Sequence, residues 1–307
     1  MDPAQLPPKL PRRQIPRVVA QLVVRMRWDL IVMVVLCGVS LALGQTPMFR
    51  GMRLIEGSGL SILGIAASIF VAFRNTQAIN RWWEARVLWG TITNTSRHWR
   101  DTLHALLGSE GELRGEEQRL VTLQSLQAWL LNFELRGYWR EDAHQAACGL
   151  GASLGLTPQI TLDQTLRIRA AAIGQLRQSK VISALGCDAL LRCSETFTNA
   201  LGGLQRIRNT PLPPTYDVFI RLICWLFGYA LFLNFSSQGS TGTGAMLFLG
   251  YLVAERIGAY IEGPFDRDGS SFCVPMDLIC SRISADLLGS QHPLAQVPVS
   301  RDPSAWS

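Results

Sequence analysis

The stretch Gly57–Phe73 reads GSGLSILGIAASIFVAF, without one charged residue. A helix needs about 20 mainly apolar residues to cross a hydrocarbon core of roughly 30 Å. The run is followed by RNTQAINRWWEARVLWG, Arg74 to Gly90, and the helical pattern continues to about Leu107 with no Pro. One helix is therefore expected to leave an apolar layer and run on into water. Trp82 and Trp83 suit the membrane interface, although ordinary packing accounts for them equally well. Inside the apolar run, Ile65, Ile69 and Phe73 lie at i, i+4 and i+8 and share one face. Such a stripe either packs against another helix or, when several copies surround an axis, forms a hydrophobic constriction. Gly64, Ala66, Ala67 and Ser68 keep the neighbouring faces small, which either reading needs.

Three further segments have the same character. Trp28–Gly44 carries only Asp29, at its edge; Val218–Phe235 carries Arg221, one turn from its start and able to snorkel; Thr241–Ala254 is shorter and diluted by Gly and Thr. The expected spans are about 28–45, 57–73, 218–235 and 241–254, in two pairs with tight connections. Basic residues set the orientation. Lys9, Arg12, Arg13, Arg17, Arg25 and Arg27 precede the first span, and Arg74, Arg81 and Arg86 follow the second. The loop between the first two spans has Arg50 and Arg53, and Ser236–Gly239 has none. Both termini and the region 74–216 are therefore expected in the cytosol, with the chain in the cell membrane of a bacterium as a multi-pass protein.

Composition agrees. Apolar residues make up 48% and charged residues 17%, against about 25% charged in ordinary globular chains. The formal net charge is +6, but the Arg are scattered singly, with no nucleic-acid-binding signature. The 7 Cys show no CxxC spacing, so neither a disulfide framework nor a zinc site is expected. Pro3, Pro7, Pro8, Pro11 and Pro16 mark residues 1–16 as an extended arm without a signal peptide. Residues 289–307 read as a poorly ordered, Pro-rich tail.

The middle region is helical throughout. Leu120, Leu123, Leu126, Leu130 and Leu131 give helical spacing from about Glu116 to Arg136. A short helix is expected over Asp142–Leu154, and Thr157-Pro158 and Thr161 are helix-start signals. A long helix is expected from about Asp163 to Arg208, broken near Gly186, and stopped by Pro211, Pro213 and Pro214. Catalytic constellations are scarce. His98 and His104 are six apart and face different sides of a helix, and Gly149, Gly151 and Gly155 have the wrong spacing for a dinucleotide turn. No enzyme and no cofactor are expected.

Three stretches resemble the bestrophins, specifically their bacterial members. They are GIAASIFVAFRNTQAINRWWEARVLWG (Gly64–Gly90), TPLPPTY (Thr210–Tyr216) and ERIGAYIEGPFDRDGSSFCVPMDL (Glu255–Leu278). With the helix order, the likeness covers about residues 15–288, and 17–288 is read as one channel domain. The resemblance implies an all-α integral membrane protein with four transmembrane helices per subunit and a helical cytosolic region. It implies a barrel-like homopentamer around one pore, in contact with membrane lipid. The permeant ion would be chloride or another monovalent anion; a sodium channel of the same fold and a non-conducting scaffold or sensor are the alternatives. The family's three-ring neck falls on Ile65, Ile69 and Phe73, and a cytosolic aperture falls near Ile182. Two departures matter. The calcium-binding turn of eukaryotic members corresponds here to Asp266, Arg267, Asp268, Gly269, Ser270 and Ser271. Asp266 and Asp268 alone are a poor donor set for calcium, which wants six to eight oxygens. Ala66 stands in the neck where eukaryotic members place Pro. Arg-rich cytosolic walls would favour anions through long-range potential; Arg74 itself lies about 100° round the helix from Phe73.

Overall fold

The computed structural model describes residues 15–46, 55, 57–108, 113–266 and 272–299. Among them the chain forms ten α-helices: α1 Ile15–Arg25, α2 Arg27–Gly44, α3 Gly57–Leu107, α4 Leu113–Arg136, α5 Glu141–Ser153, α6 Leu162–Gln178, α7 Ala184–Asn209, α8 Pro214–Ser237, α9 Thr241–Ile261 and α10 Met276–Leu288. Helices α2, α3, α8 and α9 are long and apolar enough to cross a membrane, by length and composition. The chain divides into two compact units, Met1–Trp82 with Pro211–Gly263, and Trp83–Thr210 with Pro264–Ser307. The boundary falls within α3, a continuous helix of 51 residues as its sequence predicts.

The first unit is built on a hairpin of α8 and α9. Pro214 opens α8 with the φ a first helical turn needs, and Gly239, at φ +78, turns the chain between the two helices. Their approach is too close for side chains at the crossing points. A Cβ on Gly228 would lie 2.2 Å from Phe248, and one on Gly244 would lie 2.9 Å from the Phe232 backbone. Met33 and Cys37 of α2 complete a core with Phe232, Leu233, Phe248 and Leu252. The sequence has Arg221 snorkelling alone; instead its Nη2 donates to Asp29 Oδ1 at 2.8 Å, and Arg256 Nη2 donates to the same oxygen at 2.9 Å. Asp29 is buried, where a carboxylate must be paired with cations because water no longer solvates it.

The second unit is organised around α4, which packs against α5, α6, α7 and α10. Leu120, Leu123, Leu126 and Leu131 are buried as their spacing predicts, Leu130 is half-buried, and a polar seam runs beside them. Asn132 Nδ2 donates to Asp277 Oδ1 at 2.6 Å, and Trp129 Nε1 donates to Ser284 Oγ at 2.9 Å. The Cys280 thiol donates to the Ala128 carbonyl, and complete burial pushes its pKa well up, so it stays a thiol. The Thr161 start signal is a full capping box: Thr161 accepts from Gln164 N while Gln164 accepts from Thr161 N. Gly155, at φ +71, ends α5, with Leu156 N bonded back to the Gly151 carbonyl, so these glycines finish a helix.

Two expectations are corrected. The long helix breaks at residues 179–183 rather than near Gly186. Lys180 turns the chain at φ 59, and Ser183 Oγ accepts from Gly186 N to start α7. Gly186 lies inside α7 because its missing side chain admits Leu106, whose Cδ2 is 2.8 Å from where a Cβ would stand. Residues 289–299, expected as part of a disordered tail, are ordered. Leu294 and Val297 are buried, Pro293–Ala295 forms a 3-10 turn, and Ser281 Oγ donates to the Ala295 carbonyl at 2.8 Å. Two apolar anchors and a side-chain bond outweigh a composition that otherwise signals disorder. The arm over residues 1–14, the loop arginines Arg50 and Arg53, and Asp268 lie outside the described residues.

Candidate functional site: the two-faced helix α3

In its first half α3 has two sharply different faces. Leu60, Gly64, Ala67, Val71, Arg74 and Ala78 are buried, at steps of four and three. This face packs on α8: Leu60 and Ala67 join Phe227 and Ala230, and a Cβ on Gly64 would stand 2.6 Å from the Phe227 ring. Ile65, Ile69 and Phe73 occupy the other face and are 64%, 49% and 60% exposed. Ile62 precedes them on the same stripe, and the polar Thr76 and Asn80 follow it. The stripe is therefore not used for packing within the chain. It is an unpartnered apolar band that ends in hydroxyl and amide groups.

Immediately below Phe73 the helix is locked to α8 and α9. Arg74 is 1% exposed. It forms an ion pair with Asp217, donates through Nη1 to the Glu255 carbonyl at 2.8 Å, and lies 3.6 Å from the carboxylates of Glu255 and Glu262. Asn75 Nδ2 donates to the Ala254 carbonyl at 3.0 Å. Gly258 permits that contact, since a Cβ there would fall 2.0 Å from Asn75 Oδ1. The clamp fixes the rotation of α3 and so fixes which side chains make the exposed face. It also removes Arg74 from that face, so this cation does not line it.

The clamp residues Asp217, Glu255 and Glu262 are not evident in the sequence taken segment by segment. One signal could have found them. Asp29 and Asp217 begin their apolar helices, while Glu255 and Glu262 end theirs and Arg74 follows its own. In an antiparallel pair of hairpins these positions share one level, and charges at one buried level must pair.

The other expected residues stand apart from this site. Ile182 is 3% exposed, enclosed in the α6–α7 connection of its own chain, whereas Leu185 on the first turn of α7 is 82% exposed. The turn that starts α7 thus folds the Ile182 side chain into its own chain. Asp266 is exposed, and its carbonyl accepts from the Cys273 thiol. Among the described residues, no group of three or more His, Cys, Asp or Glu side chains could hold a metal ion.

Four helices long and apolar enough to cross a membrane, one bearing a clamped and two-faced segment, define the class as a helical membrane protein. The chain belongs to the Bacterial/Fungal Bestrophin family, whose model matches residues 10–289. It is 31% identical over 242 residues to the voltage-dependent anion channel-forming protein RSc3414 of Ralstonia nicotianae, covering 75% of this chain and 76% of that one. It is 25% identical to the voltage-dependent anion channel-forming protein YneE of Escherichia coli K12, covering 78% and 77% of the two chains. Its fold is that of a bacterial bestrophin homologue from Klebsiella pneumoniae, with a TM-score of 0.71, 23% identity, and coverage of 89% of this chain and 100% of that one.

Proposed function

We propose that the chain is one subunit of a passive anion channel, with chloride as the main permeant ion. In this reading α2, α3, α8 and α9 cross the cell membrane of a bacterium, both termini are cytosolic, and five copies close around one axis. Ile65, Ile69 and Phe73 from each copy stack as three apolar rings. The observation that carries it is the exposed stripe on a helix whose opposite face is packed and whose rotation is clamped. An apolar band of this kind needs a cover or a function. Cyclic symmetry brings five such bands together, and apolar rings gate ions by excluding water. The names of the two bacterial relatives support the choice of anions.

The cytosolic aperture moves to Leu185, the apolar side chain of the α6–α7 connection that projects from the chain. A sodium channel of the same fold is favoured by one observation: the cation nearest the neck, Arg74, is turned away and paired with acids. The neck itself then selects by size and hydration rather than by charge. Purified protein in planar bilayers under asymmetric salt separates these readings. A reversal potential of the anion sign is expected; the cation sign overturns the choice of ion. A protein that incorporates without current is the scaffold or sensor.

A further inference from the structure

Arg169, on α6, is 1% exposed, and among the described residues it forms no ion pair with a carboxylate. Its guanidinium lies over the Trp99 ring at 5.4 Å and the Phe197 ring at 4.8 Å. Nη1 donates to Gln124 Oε1 at 2.7 Å and to Gln127 Oε1 at 2.9 Å. Gln124 passes the donation on, through Nε2, to Ser96 Oγ at 2.9 Å, and Ser96 to the Ile92 carbonyl. The opposite edge of the guanidinium is different. Nε and Nη2 are buried and donate to no protein acceptor, and neither does Gln127 Nε2 in the same cluster.

The cluster therefore holds a surplus of donors and one uncompensated positive charge. Burial lowers the Arg169 pKa to about 10, so the group stays charged at neutral pH. The thiol of Cys193 is near enough to interact with Arg169, but burial raises its pKa, so it does not supply the missing negative charge. The aromatic faces stabilise a cation without using its in-plane N–H groups. Leaving a buried ion unpaired costs several kcal/mol. A water molecule would accept the hydrogen bonds but bring no charge. The two adjacent N–H groups of the Nε and Nη2 edge form the fork that binds anions.

We propose that the Nε and Nη2 edge of Arg169, with Gln127, is a buried binding site for a small inorganic monovalent anion, chloride in the cell. Chloride then acts as a structural ligand of this helical unit, separately from any role as a permeant ion, and couples its stability to the surrounding anion concentration.

The test is thermal unfolding of the purified full-length protein in sodium chloride against sodium gluconate at equal ionic strength. Chloride at a hundred times its dissociation constant should raise the wild-type Tm by roughly 5 °C. In Arg169→Met the chloride dependence should vanish. In Gln127→Glu a carboxylate built beside Nη1 should replace the ion. That variant should be more stable than wild type in gluconate and indifferent to chloride. Crystals grown in bromide should show an anomalous peak at the Nε and Nη2 edge. A wild-type Tm indifferent to chloride, equal chloride shifts in all three proteins, or density there without bromide signal each overturns the proposal.

Discussion

Arg74 and Arg169 are buried to the same extent, 1% exposed each, and the protein settles them in opposite ways. Arg74 is surrounded by acids: Asp217, Glu255 and Glu262 are all within ion-pair distance. Arg169 is surrounded by rings and amides: Trp99, Phe197, Gln124 and Gln127. The first arrangement is directional. Carboxylates on α8, on α9 and just beyond it pull one side chain into one orientation, which is what a helix with a face to present requires. The second is adaptable, since aromatic faces attract a cation over a range of positions and leave donors free for a ligand. The same residue type thus serves as a rotational lock in one unit and as the core of a binding pocket in the other.

The comparison breaks first at Arg74. Arg74→Met leaves Glu255, itself 1% exposed, with Arg256 at 3.5 Å as its remaining cation, and removes the shared partner of three carboxylates. Losing one partner of a buried pair costs about 3–5 kcal/mol. Thermal unfolding should show that loss, and conduction should fail with it because α3 loses its rotational reference. Arg169→Met should cost much less, roughly 0–2 kcal/mol at low chloride. It leaves two glutamine oxygens short of a donor but removes a poorly compensated charge. Equal losses in the two variants would mean that the acids around Arg74 contribute no more than the rings around Arg169.

Much of the fold was legible because its strongest signals are one-dimensional. Four apolar runs, the Thr161 cap and the Pro211–Pro214 stop all act through neighbours in the chain. The stripe Ile65, Ile69 and Phe73 was legible as a stripe. Its exposure was not, since periodicity alone does not say whether a face meets another helix. The clamp was illegible residue by residue, because Arg74, Asp217 and Glu255 are far apart in sequence and each has a plausible solvent-facing reading. Arg169 left no trace for a related reason: an Arg two residues from Arg167 on a helix looks like one more solvated cation. The tail misled in the other direction. Its Pro content signals disorder, while Leu294 and Val297 are scattered apolar residues without periodicity, yet both find cover.

A further variant sharpens the separation between lock and presented face. Replacing Ile65, Ile69 and Phe73 together by Ala leaves Arg74 and its partners untouched. Exposed side chains in a single chain carry little of its packing energy, so each change should alter protomer stability by less than about 0.5 kcal/mol. Single-channel conductance should rise, because smaller side chains widen an apolar constriction and ease its wetting. Unchanged conductance in the triple variant would remove the neck from this face.

His292 offers the smallest effect and a third way of handling a group that can carry charge. Its Nδ1 accepts from Leu294 N at 3.2 Å, which caps the 3-10 turn and requires a neutral ring. Burial lowers its pKa below the ordinary value of 6.5. The folded chain therefore binds fewer protons than the unfolded one between that lowered value and about 6.5. The cap's contribution is complete above pH 6.5 and is lost as pH falls through the lowered value. The group is only partly buried, so the global effect is small and the readout must be local. Limited proteolysis near Leu294 should accelerate from pH 7.5 to pH 5.5 relative to a control cut elsewhere in the chain. His292→Asn, which caps without titrating, should remove the acceleration. If the asparagine variant keeps the same pH dependence, protonation of His292 is not what loosens this turn, and avoidance of charge does not belong beside the two solutions found at Arg74 and Arg169.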